Sequence, residues 1–438
     1  MMSPITRGLA AAMVALAAAC GGTTGTVAVE LTTAPGSQLL DSVQLLRLTI
    51  TNPRQVIEAE RGAGGFSIAL EVDASGASGA LIVEGFDGNG TLIACGQSPP
   101  FPVAAINADI VVYVAAPNSI ALAPAALRAA RSEVAGADLG YGVVLAGGRD
   151  ASGAPSTTIA IYNAYDHTLL EGIALPAPRT GLAVAAGANG GVYLFGGTGP
   201  DGAATATLWR FDTTVAPNGG YSPLTEQPAF ARTAQALVPI GPIGAERYLV
   251  TGTPPLTLAG GSLTARTDIA ALPSVGTAVV ASDGVTTAVF AGSDLVRFRQ
   301  DAFDTLGASG RSEAGAATLP DGRVVVAGGA DAASRDALVI DAATGAVTVI
   351  PGALAVARSH PSLAATSRHL VIAGGTDAAG APIASAEVLD AHTLAPVVML
   401  PILARTGTYA AALPNGQVLL VGGSPASEQI ELFTPGPP

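Results

Sequence analysis

The chain has no lysine: its 20 cationic side chains are all arginine, set against 33 aspartates and glutamates. A net charge of −13 leaves no basic surface to neutralise phosphates, which excludes nucleic acid as a partner. Cysteine occurs only at positions 20 and 95, too few for a disulfide framework, so the fold relies on packing. Aromatic residues make up 4% and tryptophan occurs once, at Trp209. Buried mass must therefore come from Val, Leu, Ile and Ala on short strands rather than from bulky helical packing. Charged residues are 12% against 49% hydrophobic, which excludes a disordered chain, and 438 residues suffice for two or three domains. No apolar run reaches the roughly 20 residues that a membrane helix needs.

What the chain does have begins at its start. Residues 1–19 carry one charge, Arg7, before the uncharged run Leu9 to Ala19, the pattern of a secretory signal. The stretch Leu16-Ala17-Ala18-Ala19-Cys20 resembles the lipobox of bacterial lipoproteins, with Ala17 where that motif usually has Leu. The resemblance implies that Cys20 is diacylated and becomes the mature N-terminus, with residues 20–26 as a short tether. Gly21 after the cysteine resembles the pattern for onward transport to the outer membrane. The expected address is therefore the cell envelope, with membrane attachment through the lipid alone. Cys95, in the strand-like TLIACG, reads as a small core residue.

Residues 27–116 hold seven short apolar or alternating runs, among them VQLLRLTI, GALIVEGF and DIVVYVAA, separated by Gly- and Asp-rich turns. That number of strands in about 90 residues predicts an immunoglobulin-like β-sandwich. No Cys-Trp-Cys pattern is present, and another small sandwich fits nearly as well. Pro117 marks a boundary.

From 118 to 438 a repeat sets the pattern. A glycine pair closes an apolar strand at Gly147-Gly148, Gly196-Gly197, Gly328-Gly329, Gly374-Gly375 and Gly422-Gly423, with weaker copies at YLVTGT and AVFAGS. First-glycine spacings of 49, 56, 40, 36, 46 and 48 residues suit propeller blades, and seven units result. Six units open on an arginine followed by Ser or Thr: Arg131, Arg179, Arg232, Arg311, Arg358 and Arg405. LPDGRV (319–324) and LPNGQV (413–418) predict type I′ hairpins between the first two strands. LWRFD, ALVID and AEVLD predict third strands, and a fourth leads through proline to the next arginine. Unit three reads as carrying an insertion around PPLTLAGG (254–261), and unit four lacks its arginine. The last unit stops after its third strand while Ser119 to Pro124 reads as a fourth, so these two are expected to close the ring.

In the doublet, the turns and the arginine-led start, residues 118–438 resemble the kelch-repeat family, departing from it in having one Trp rather than one per unit. The resemblance implies an all-β, seven-bladed propeller. The kelch group includes copper radical enzymes, whose site needs two histidines, two tyrosines and a crosslinked cysteine. Here His167, His360, His369 and His392 fall at different repeat phases, and the propeller has no cysteine. No zinc spacing, serine elbow or Walker loop is present. The expectation is a monomeric, non-enzymatic binding scaffold without cofactor or metal, recognising an envelope or extracellular protein, peptide or glycan through its loops. The alternatives are a carbohydrate-active or oxidoreductase propeller and a structural spacer. Two constellations are open. The six arginines read either as a cationic binding mouth or as latches between blades. Asp150, Asp331 and Asp377 after their doublets read as turn caps or calcium ligands.

Overall fold

The computed structural model describes residues 24–62, 65–66, 70–73, 77–102, 108–224, 226–274, 278–308, 311–330 and 335–437. The signal, Cys20, Asp331 and the start of unit four at 276–277 lie outside these residues. The described chain is β throughout, apart from three single-turn 3₁₀ helices.

Residues 24–113 form a three-stranded sheet, a five-stranded sheet and a two-stranded ribbon. In the first, Thr24–Thr32 pairs parallel with Ala108–Tyr113. In the second, Leu45–Thr51 is flanked by Arg54–Gly62 and Leu81–Phe86. The two larger sheets share one core, in which Leu46, Leu48 and Ile50 face Ile110 and Val112. Leu81–Phe86 alternates buried and half-buried residues, the period of a strand with one face inward.

The remainder makes seven four-stranded antiparallel sheets. Sheet I starts at Ala135–Asp138, II at Ala183–Ala186, III at Leu237–Pro239 and IV at Val279–Ser282. Sheet V starts at Ala314–Thr318, VI at Ser362–Ala365 and VII at Tyr409–Ala412. These first strands touch one another in cyclic order, and I meets VII. Sheet VII takes its fourth strand from the other end of the repeat region: Ser119–Leu122 pairs antiparallel with Ile430–Thr434.

The second strands have no polar face because both of their faces are covered. Val143 and Leu145 pack toward sheet VII, while Val144 and Ala146 pack toward sheet II. The same division recurs around the ring, giving one apolar core between each pair of neighbouring sheets. Fully burying one such Val or Leu contributes about 2 kcal/mol, so packing between sheets supplies most of what holds the ring.

Two readings of the repeat change. Pro254 to Gly261 is no insertion: Leu256–Ala259 is the third strand of sheet III, with Leu256 and Leu258 fully buried, and Gly260 and Gly261 turn the chain into the fourth. The Asp-Gly and Asn-Gly hairpins are not type I′. Only the glycines, Gly322 and Gly416, have positive φ, and each donates its N–H to the leucine three residues back. Pro320 and Pro414 fix a negative φ where type I′ needs a positive one, so a type I turn followed by a left-handed glycine forms instead.

Candidate functional site

The arginines and the glycine doublets are two halves of one joint. Each arginine's backbone meets the preceding sheet: Gly148 N–H donates to Arg179 O (3.0 Å), and Gly197 N–H to Arg232 O (3.0 Å). A Cβ on Gly147 would stand 2.6 Å from Arg179 O, and one on Gly196 2.7 Å from Arg232 O, which is why the first doublet position admits no side chain. The guanidinium then grips the arginine's own sheet. Arg131 donates to Gly147 O (3.1 Å), Arg358 to Gly374 O (2.8 Å), Arg405 to Gly422 O (3.1 Å) and Arg311 to Gly328 O (3.3 Å). Arg232 donates to Thr251 O (3.0 Å) in the degenerate unit. Arg179 differs, lying 5.2 Å over the ring of Trp209. All six are buried, the most open at 8%.

The residue two after the third-strand carbonyl that the guanidinium also holds, Ser385 O for Arg358, Gln429 O for Arg405 and Thr158 O for Arg131, decides whether the arginine has a charge partner. It is Glu387 in sheet VI, bonded to Arg358 at 2.7 Å, and Glu431 in sheet VII, bonded to Arg405 at 2.6 Å. In sheet I the position is Ala160, and burial pushes Arg131 down to about 10.

The residue two after each arginine, Glu133, Gly181, Ala234, Glu313, His360 or Gly407, has a left-handed backbone. At one end of the ring His360 N–H donates to Glu313 O (2.6 Å) and Ala234 N–H to Gly181 O (3.2 Å), so four of these residues meet in two neighbouring pairs. Glu133 there accepts from Arg149 and Thr180, and His360 Nδ1 lies 3.7 Å from Glu313. Asp150 accepts the N–H groups of Ser152 and Ala154, and Asp377 those of Ala379 and Ala381, so both carboxylates cap their own turns.

Strands run from this arginine end to the opposite hairpin end, where a cavity of about 450 Å³ opens. Sheets I, V, VI and VII line it through Asp138, Leu319-Pro320, Ser367 and Leu413-Pro414. Asp138 stands exposed at the mouth, where partial desolvation by the surrounding chain pushes its carboxyl up and Gly140 N–H holds one oxygen at 2.7 Å. Deeper, the ring of Tyr409 lies across Gly136, where a Cβ would come within 2.7 Å of it. Sequence reading missed this site. Asp138 ends a strand just before a turn, as many other residues do, and nothing local marks the residues that the ring brings into the same cavity.

The 24–113 region sits at the same end. Cys95 and Ala115 exchange backbone hydrogen bonds, Cys95 Sγ donates to Pro435 O (3.3 Å) and Tyr165 Oη donates to Pro100 O (3.1 Å). Arg368 donates to Gly436 O and Pro437 O, and Gly436 N–H to Asn118 (2.8 Å), pinning the last residues into the junction. Burial pushes the Cys95 thiol up to about 12, which makes it unreactive. His167, also at the junction, meets Tyr162 Oη at 2.9 Å, and burial pushes it down to about 4.

The histidines do not converge. His167 is at the junction, His360 at the arginine end, His369 buried in the second strand of sheet VI, and His392 on an exposed turn. Among the described residues no three of His, Cys, Asp and Glu are placed to hold a metal ion, and no helix is long and apolar enough to cross a membrane.

No protein-family model matches the chain, and no curated protein matches it. Among solved structures, YjhT is similar over 62% of this chain and 98% of its own, at 13% identity and a TM-score of 0.45. A fungal alcohol oxidase of the AA5 family, in complex with copper, is similar over 72% of this chain and 75% of its own, at 13% identity and a TM-score of 0.53. The described residues do not fit a copper centre, since their histidines lie apart. The expectation that the chain is not an enzyme is nonetheless corrected, because this fold is shared with a copper alcohol oxidase and does not itself exclude catalysis. What the likeness shows is the architecture: an all-β propeller.

Proposed function

We propose that the mature chain is an envelope protein, lipid-anchored through Cys20, whose propeller binds a protein, peptide or glycan at the hairpin-end cavity. The observation that carries this reading is the cavity itself: about 450 Å³, open at one mouth of a closed ring and walled by turns from four sheets. The arginines, buried and bonded to carbonyls, are read as latches rather than as the binding mouth. The 24–113 region at the same end as the cavity would put the binding end on the side of the ring that faces the anchor.

The test is crosslinked capture from envelope extracts by three lipidated chains: the parent, Ser367→Trp to fill the mouth, and Glu313→Ala at the opposite end. A partner held by the parent and by Glu313→Ala but lost by Ser367→Trp is the expected result. Equal capture by all three would move the site away from the cavity. Fractionation of the same cells checks the anchor, since Cys20→Ser is expected to leave the membrane fraction.

A further inference from the structure

Resting on that reading, we infer that the hairpin-end cavity takes a primary alkylammonium group, as on a lysine side chain or a free diamine, with Asp138 as its counter-ion. Among the described lining residues there is no arginine, lysine or histidine, so no cation there answers a ligand anion. Three donors of the wall are spent within the protein: Thr318 Oγ1 donates to Ser282 O (2.7 Å), Thr366 Oγ1 to His369 O (3.3 Å), and Gly416 N–H to Leu413 O (2.9 Å), while the Ser367 hydroxyl can donate or accept. What remains open is mostly acceptor in character. The Asp138 carboxylate has one oxygen bonded to Gly140 N–H and no cationic side chain among the lining residues. A ligand that brings donors and positive charge fits this wall, and one that brings acceptors or negative charge does not.

The apolar part of the wall sets the rest of the ligand. Pro320 and Pro414 present ring methylenes to the same cavity, backed by the buried side chains of Leu319 and Leu413. That combination suits an alkyl stem ending in a compact ammonium. The volume exceeds what one such stem fills, leaving room for the group that carries it. The net charge of −13 adds a long-range field that favours approach of cations over anions to the protein as a whole.

The experiment is isothermal titration of the full mature chain at low salt with 1,5-diaminopentane, 1,5-pentanediol and glutarate. Asp138→Asn and Ser367→Trp are titrated alongside, each checked for a parent-like circular dichroism spectrum. The diamine is expected to bind and the diol and diacid not to. Asp138→Asn, which keeps the shape and removes the charge, is expected to weaken the diamine about tenfold or more, the scale of one charge-assisted bond. Equal binding of diol and diamine, an unchanged Asp138→Asn affinity, or no diamine binding into the millimolar range would each overturn the assignment. Running both variants in the capture experiment separates the two claims. A partner lost with Ser367→Trp and kept with Asp138→Asn leaves the binding site standing and removes the ammonium. A partner kept by both removes the site.

Discussion

At the scale of single residues, the ring contains one experiment that the sequence has already performed. Six arginines occupy equivalent places, but Arg358 and Arg405 have a buried carboxylate and Arg131 has an alanine at the matching position. Glu387 also accepts Ala355 N–H at 2.6 Å and Val356 N–H at 3.0 Å, so its removal strands two backbone donors as well as a buried cation. Glu387→Ala is therefore expected to cost about 3 kcal/mol in urea unfolding. The double change Arg358→Met with Glu387→Leu is expected to recover most of that loss, because the desolvation of both charges is then avoided. A Glu387→Ala transition that overlays the parent would show the pair to be dispensable, as its counterpart is in sheet I.

At the scale of elements, the joint between sheets explains why two sequence signatures travel together. The doublet lets the carbonyl of the next arginine approach, and the guanidinium of that arginine braces the doublet of its own sheet. Gly196 and Gly202 separate conformation from space, since both have positive φ but only Gly196 faces a neighbour. Gly202→Ala is expected to cost about 1 kcal/mol, the backbone penalty alone. Gly196→Ala adds a collision with Arg232 O and is expected to cost about 3 kcal/mol, read from thermal unfolding of the two variants side by side. Equal losses would mean that the sheets can move apart. The doublets, the arginine starts and third strands such as Leu208–Asp212 were all legible, because each depends on residues adjacent in sequence. The hairpin type was misread because Asp-Gly was weighed without the proline before it.

At the scale of the whole molecule, closure depends on Ser119–Leu122 completing sheet VII and on Ala123 N–H donating to Ile430 O at 2.8 Å. The joining strand and its partner are more than 300 residues apart in sequence. Ala123→Pro removes that donor at a residue 3% exposed, and is expected to lower stability by about 2 kcal/mol. It is also expected to free an edge of sheet VII that pairs with other copies, seen as added mass in light scattering. A variant that stays monomeric with the parent's melting temperature would show that the ring holds without its seam.

The sequence by itself determined the repeat, the strand order within each unit and the residues that join one unit to the next. Hydrophobic runs, glycine pairs and turn residues act over a few positions, and their physics is readable locally. Only the tertiary structure decided the rest. Whether an arginine is buried or presented depends on the neighbouring sheet, which lies some fifty residues away in sequence. The cavity at Asp138 exists because turns from 138 to 416 are drawn to one end of a closed ring. No local pattern encodes that meeting, since each turn is satisfied by its own hydrogen bonds before the ring brings them together.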